Sequence, residues 1–312
     1  MAGFTAANLL SSRFLKPSAA LAKIAVAALA VANLLSAFAP YYSFLLVLRL
    51  SAGFAMGLMT WIAWSDTAGD AKGRGEVTAV GPLAAIVASV LVAVAADSAG
   101  LRGIYLLLGV LSLFPLALTF HVSVQLPTAR NPILARGVWP ILIALFVFTA
   151  GGSAAFVFAS VLASEHAGMT AIGLSLAMSL NAAAGIPGAK FAGRRRMPGV
   201  WMIVTAFCAY LLTVATHEWM IFVSLGLWGL AFWTAVPETF FILQDRSVHP
   251  ADRVGDAQAA MAMGRVFGPI FGGVLAGSGS FVLLGVVCLV TMSFAGLTIQ
   301  GVAMSHRFRR AS

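Results

Sequence analysis

Charged side chains are scarce in this sequence. Only 9% of the 312 residues are Asp, Glu, Lys or Arg, whereas 61% are hydrophobic. Ordinary soluble domains have about a quarter of their residues charged. A water-soluble fold of this length could not hide so much apolar surface, because its interior is limited by its size. The composition therefore excludes a soluble enzyme or binding domain and predicts a protein embedded in a lipid bilayer.

Clustered basic, cysteine and histidine residues are also lacking. The net charge is +9, but the basic residues are scattered over short loops, which argues against a nucleic-acid partner. Cys208 and Cys288 lie inside apolar blocks, away from any metal-ligand spacing. The sequence predicts no metal and no cofactor. An enzyme is disfavoured because the histidines form no cluster at one membrane surface: His121, His166, His217, His249 and His306.

Apolar blocks of about 20 residues recur along the chain, the length needed to cross roughly 30 Å of hydrocarbon. The alternating pattern of a membrane barrel is absent, so each block is expected to be a helix. Residues 2–12 are apolar but cover only about half of a bilayer, which predicts a half helix. We expect ten full transmembrane helices, at 18–39, 42–64, 77–96, 101–122, 138–163, 168–190, 198–216, 218–243, 255–277 and 280–303.

The loops differ in charge on the two sides of the predicted membrane. Lys and Arg collect in every second loop, and Arg102 is the exception on the other side. Basic loops stay in the cytoplasm, so we expect a cytoplasmic C-terminus in a bacterial inner or plasma membrane. The longest connection predicts a division into an incomplete N-terminal bundle at 1–122, a cytoplasmic loop at 123–137 and a six-helix C-terminal bundle at 138–312.

Two loop segments resemble those of major facilitator transporters. NLLSSRFLK, at residues 8–16, is similar to the family's loop between helices two and three, with Arg13 and Lys16 at matching positions. Ser12 stands where the family has Asp. A second copy, AKFAGRRR at 189–196, carries Arg194 and Arg195 at the corresponding place in the later half.

Two helical segments extend this resemblance over the chain. LLVLRLSAGFAMG, at 45–57, is similar to the family's helix four and contains Arg49. ADRVGDAQAAMAMGRVFGPIFGGVL, at 251–275, is similar to the loop into helix eleven and its Gly-Pro helix. The resemblance implies an all-α, two-bundle fold. Its parallel repeats place the partner of the helix at 138 before Met1, so we expect helix one and part of helix two to be missing.

Three charged residues inside predicted spans are candidate site residues. Arg49 needs a substrate anion, a carbonyl or an acid on the missing helix, unless it reaches the outer headgroups. Glu238 and Arg265 are close in depth and could form a structural salt bridge. Alternatively, Glu238 could carry protons, because a carboxyl group in a low-dielectric environment can exchange protons near neutral pH.

Three uncharged residues complete the candidates. By resemblance, Trp61 and Trp233 lie on helices that line the family's central cavity, although Trp is also common at the membrane interface. Asn181 lies in the middle of a span, where its amide needs a partner on another helix or on the solute.

The predicted function is secondary transport of a small organic solute by alternating access, as proton-coupled efflux, by a monomer in the membrane. One alternative is a ten-helix drug or metabolite transporter built from two five-helix repeats. That alternative requires a shorter repeat offset than the ones from Arg13 to Arg194 and from Gly53 to Gly229. Another alternative is a truncated remnant that does not transport.

Overall fold

The computed structural model describes residues 1–66, 71–118, 122, 138–191, 197–245 and 250–311. Within these residues the chain is helical, with short 3-10 and π segments at Phe114–Ala117 and Leu162–His166. The helices are α1 Ala2–Phe14, α2 Ala19–Ser36, α3 Tyr42–Asp66, α4 Ala71–Leu113, α5 Val138–Phe156, α6 Ala159–Val161, α7 Ala171–Phe191, α8 Pro198–Thr213, α9 Glu218–Asp245, α10 Pro250–Gly277 and α11 Phe281–Ala311.

Eight stretches of the described helices are long and apolar enough to cross a bilayer. The predicted all-helical, multi-pass membrane protein is thereby confirmed, whereas the count of ten full helices is not. Two apolar helices, Glu76–Ala88 and Pro198–Thr213, fall short of a full crossing and match the spans predicted at 77–96 and 198–216. The eight are Ala19–Ser36, Tyr42–Asp66, Ser98–Ala117, Val138–His166, Ala171–Phe191, Glu218–Gln244, Arg253–Gly277 and Phe281–Ser305.

Gly100 separates two predicted spans that follow one another within α4. Its φ of 59° and ψ of −148° leave the helical region, and side chains other than glycine rarely adopt such a backbone. The Cβ that another residue would add meets nothing within 4 Å, so only the backbone conformation demands glycine here. The chain therefore reverses at this point without a loop.

The helices divide into two compact units, and the first consists of Met1–Arg74, Val87–Pro132 and Ser247–Ala262. The residues predicted to be a half helix form α1, which packs against α3 through glycine. A Cβ on Gly3 would collide with the carbonyl group of Leu50, and one on Gly57 would come within 2.7 Å of the Cβ of Ala7. Small residues allow this backbone approach, as is usual between membrane helices.

The second unit consists of Gly75–Ile86, Ile133–Arg246 and Met263–Ser312. Here α11 packs on α8 and α5, while α9 packs on α7 and α8. The two helices α8 and α11 approach closely at Gly199, where a Cβ would overlap the carbonyl of Gly296. The predicted loop at 123–137 lies outside the described residues, and the division at this loop stays a prediction.

Candidate functional site

A cavity of about 290 Å³ lies inside the second unit. Its volume is close to the lower end of the range for small-molecule sites. Its wall is formed by five of the transmembrane spans together with α8, and it carries one charged side chain, Arg265. The lining residues are Phe148, Thr149, Gly152, Ser153, Phe156, Asn181, Thr205, Trp228, Gly229, Phe232, Trp233, Arg265 and Met292.

Arg265 enters the cavity wall because α10 lies directly against α5. A Cβ on Gly264 would overlap the hydroxyl of Thr149, and one on Gly268 would overlap the carbonyl of Ala150. The Ser153 hydroxyl oxygen lies 3.4 Å from the carbonyl oxygen of Gly264. These contacts fix the register of the two helices and place Arg265 beside the hydroxyl groups of α5.

The guanidinium of Arg265 has no partner among the described residues. Within the part of the chain that the structure describes, it forms no hydrogen bond, no salt bridge and no contact with an aromatic ring. A charged side chain near the centre of a membrane helix costs about 3 kcal/mol even by mild insertion scales. A cost of that size in a cavity wall is typical of a residue retained for binding rather than for stability.

Aromatic rings form much of the cavity wall. The ring centroids of Phe148 and Phe232 lie 6.1 Å apart in a stacked arrangement, and those of Phe232 and Trp233 lie 5.9 Å apart, edge to face. Phe156 and Trp228 are 5.3 Å apart. Such pairs hold their partners rigidly, so the wall offers broad, flat apolar surfaces.

Trp233 is held in place by glycines. A Cβ on Gly81 would overlap its indole ring, and a Cβ on Gly185 would come within 2.5 Å of its Cδ1 atom. A Cβ on Gly188 would come within 3.2 Å of the Cβ of Trp233. The indole therefore occupies a socket between α4 and α7, and any side chain at these positions would displace it.

The neutral polar groups of the wall use their hydrogens within the helices. The hydroxyl of Thr149 donates to the carbonyl of Leu145 at 2.8 Å, and that of Thr205 donates to Trp201 at 2.9 Å. The side-chain amide of Asn181 donates to the carbonyl of Leu225 at 2.7 Å. The interhelical bond predicted for Asn181 thus exists, between α7 and α9. The polar atoms that these side chains leave available to the cavity are therefore mostly hydrogen-bond acceptor oxygens.

Glu238 lies in the same unit but does not line this cavity. Its side chain is 2% exposed. Arg253 forms a salt bridge with Asp256, at 2.7 Å, whereas Arg265 forms none with Glu238 among the described residues. The structural pair considered from the sequence is therefore not formed.

Arg49 is hydrogen-bonded within the first unit through Nη2, whereas its buried Nε atom has no acceptor among the described residues. Its Nη2 atom donates to the carbonyl of Ala32 at 3.0 Å, to Oδ1 of Asn33 at 3.0 Å and to the Ser36 hydroxyl at 2.6 Å. Its guanidinium carbon lies 4.6 Å from the centroid of the Tyr105 ring. Of the partners considered from the sequence, the carbonyl is the one observed, and a substrate contact at Arg49 stays a prediction.

The other predicted residues lie apart from the cavity. Trp61 is fully buried in a core cluster with Ala22 and Ile62 of the first unit, and its indole nitrogen has no hydrogen-bond acceptor among the described residues. Arg13 and Lys16 are exposed near the end of α1. The loop residues Arg194 and Arg195 lie outside the described residues.

Sequence reasoning missed the contribution of α5. Thr149, Gly152, Ser153 and Phe156 follow an i, i+3, i+4, i+7 spacing, which places them on one helical face. A stripe of hydroxyl and glycine residues in an otherwise apolar span was the available signal. Trp228 was not among the residues predicted from the sequence, yet it is 7% exposed and lines the cavity.

These features define a helical, multi-pass membrane protein with a solute-sized cavity in one of its two units. Its fold is similar to that of a solved solute:proton symporter. The chain is similar to the crystal structure of the E. coli fucose:proton symporter FucP with a TM-score of 0.70 and 12% sequence identity, over 98% of this chain and 87% of that chain. No protein-family model matches the chain, and no curated protein matches its sequence. At this identity the likeness establishes the fold alone.

Proposed function

We propose that this protein is a secondary transporter that moves a small organic solute across the membrane by alternating access. The observation that carries the proposal is the cavity around Arg265, because a charge with no partner among the described residues is retained there against the cost of burying it. In secondary transporters the solute site lies near the bilayer midplane, at the interface between structural repeats. The similarity to a symporter fold supports the same function.

The proton is the coupling ion in this proposal, and Glu238 is its carrier. Glu238 is a buried carboxyl group within a span, and it lies outside the cavity that would hold the solute. A carrier site separate from the solute site can take up and release protons without blocking solute entry. Efflux is the direction predicted from the sequence, and we propose that the monomer is the working unit.

The transport proposal is tested with the purified chain in proteoliposomes under an imposed pH gradient. Labelled solutes of three classes are offered, namely L-fucose, 4-hydroxybenzoate and a neutral amino acid, and both uptake and efflux are followed. We expect gradient-dependent movement of at least one solute beyond that in protein-free vesicles. Equal movement in both preparations for every solute, with the protein correctly inserted, would favour the non-transporting remnant.

We also propose a bacterial inner or plasma membrane location with the C-terminus in the cytoplasm. A reporter enzyme that is active only in the cytoplasm is expected to work when fused after Ser312, because the basic loops stay on that side. The matched fusion in the turn between α10 and α11, at residues 277–280, is expected to be inactive. Reporter activity at the turn and none after Ser312 would reverse the orientation.

A further inference from the structure

The cavity combines one cation with flat apolar walls and several acceptor oxygens. We propose that its ligand is an organic carboxylate with an aromatic body, whose carboxylate pairs with Arg265. This inference rests on the proposed transport function and names the class of solute. It goes beyond the similarity in fold, because the symporter of similar fold is named for fucose, which is a neutral sugar.

The cation selects an anionic ligand. Arg265 has no acceptor among the described residues, and its planar guanidinium matches the two oxygens of a carboxylate. A neutral ligand would leave the charge uncompensated inside the membrane. A carboxylate replaces the water that the guanidinium gives up on burial, and the pair is stronger there than in water.

The neighbouring oxygens limit where the carboxylate can lie. The hydroxyls of Thr149 and Ser153 donate to carbonyl groups of their own helix, so their free lone pairs face the ligand as acceptors. Acceptors repel a carboxylate but accept a hydrogen bond from a hydroxyl or amino group. The anion is therefore confined to Arg265, and a donor group elsewhere on the ligand is favoured.

The aromatic wall selects a flat body. Trp233 and Phe232 meet edge to face, and Trp228 packs on Phe156, so the rings leave rigid surfaces against which a planar group can stack. The volume of about 290 Å³ suits a single-ring acid better than a large drug.

The helix backbone at Arg265 can also bend. Pro269 has no N–H group, so the carbonyl of Arg265 lacks the donor that lies four residues ahead in a regular helix. A helix with this interruption bends more easily at that turn. The Arg265 side chain can thus follow a carboxylate without disrupting the glycine contacts between α10 and α5.

Binding to the detergent-purified full chain is measured by calorimetry with two probes of one shape, 4-hydroxybenzoate and its neutral amide, 4-hydroxybenzamide. We expect the acid to bind at least about tenfold more tightly, since only the acid pairs with Arg265. Arg265→Gln is expected to remove this preference, and Arg265→Lys to retain only part of it because Lys binds as a point charge. The exposed Lys23→Gln removes a positive charge elsewhere and is expected to leave binding unchanged.

Thermal melting separates binding from a structural role. Arg265→Gln is expected to melt at the same temperature as the original chain or higher, because an uncompensated charge has been removed. Binding of the amide as tight as that of the acid, full retention of acid binding by Arg265→Gln, or no binding of either probe would overturn the proposal. If the variant does not fold, the comparison of the two probes on the unchanged chain decides the question.

The proteoliposome assay keeps this inference distinct from the transport proposal. Binding of 4-hydroxybenzoate that depends on Arg265, without movement of any solute, would leave the ligand class standing and contradict transport. Transport of L-fucose without binding of the acid would leave transport standing and contradict the ligand class.

Discussion

Replacing Gly229 with alanine is expected to remove much of the folded protein, because α7 and α9 touch backbone to backbone at this residue. A Cβ at Gly229 would overlap the carbonyl group of Asn181. Two hydrogen bonds depend on the same approach, one from the Asn181 amide to Leu225 and one from the Thr234 hydroxyl to Gly188 at 3.2 Å. Overpacking and the loss of these bonds together cost about 2 kcal/mol or more.

The measurements are the yield of monodisperse protein and the melting temperature in detergent. We expect Gly229→Ala to lower the melting temperature by roughly 5 °C. Gly273→Ala is the matched control, because a Cβ at Gly273 on α10 meets nothing within 4 Å. That control is expected to be neutral or slightly stabilising, since alanine is the better helix former. Equal melting of the two variants would show that the α7 and α9 backbones are not in contact.

Apolar length alone located the membrane helices, because lipid requires each span to be both apolar and helical. The limits of the prediction appear where local geometry decides. Gly100 looks like any loop glycine in the sequence, and only its positive φ shows that two helical segments meet there without a loop. The α8 helix ends at Thr213, because Val214 has already left the helical conformation with φ −106° and ψ 9°.

Depth along a helix could be read from the sequence, but the direction of a side chain around the helix could not. Glu238 and Arg265 were placed at similar depth, which suggested a pair. Glu238 follows the cavity-lining Trp233 by five residues, which is a rotation of about 140° around α9. It therefore points away from the wall that holds Arg265, and the two charges do not meet.

Because the direction of a side chain could not be read from the sequence, only part of the candidate site was predicted. Arg265, Trp233 and Asn181 were predicted as site residues because they are unusual in apolar spans, and the structure places all three in the cavity wall. Arg49 was predicted as a site residue on the same ground, yet its acceptors are the Ala32 carbonyl, Asn33 and Ser36. Two of these acceptors are side chains common in membrane helices, so nothing in the sequence pattern distinguishes a hydrogen-bonded arginine from one awaiting a ligand.

Glu238→Gln is expected to abolish proton-driven solute movement while leaving solute exchange intact. Glutamine keeps the shape and hydrogen-bonding capacity of the carboxyl group but cannot take up a proton. Glu238 is placed for such a role, because it is buried in α9 next to Pro237, which leaves the carbonyl of Trp233 without its helical N–H partner. A helix interrupted in this way bends more easily at that turn, between Glu238 and the aromatic wall.

The assay compares two modes in the same proteoliposomes, accumulation driven by a pH gradient and counterflow exchange without one. Each uses the solute that the transport screen identifies. The matched control is Glu218→Gln at the exposed start of the same helix, which removes a carboxylate in contact with water and is expected to change neither mode. Loss of both modes in Glu238→Gln with unchanged melting would make Glu238 part of solute binding. Gradient-driven accumulation at the original rate would remove it from proton coupling, because a group that cannot titrate cannot carry the proton.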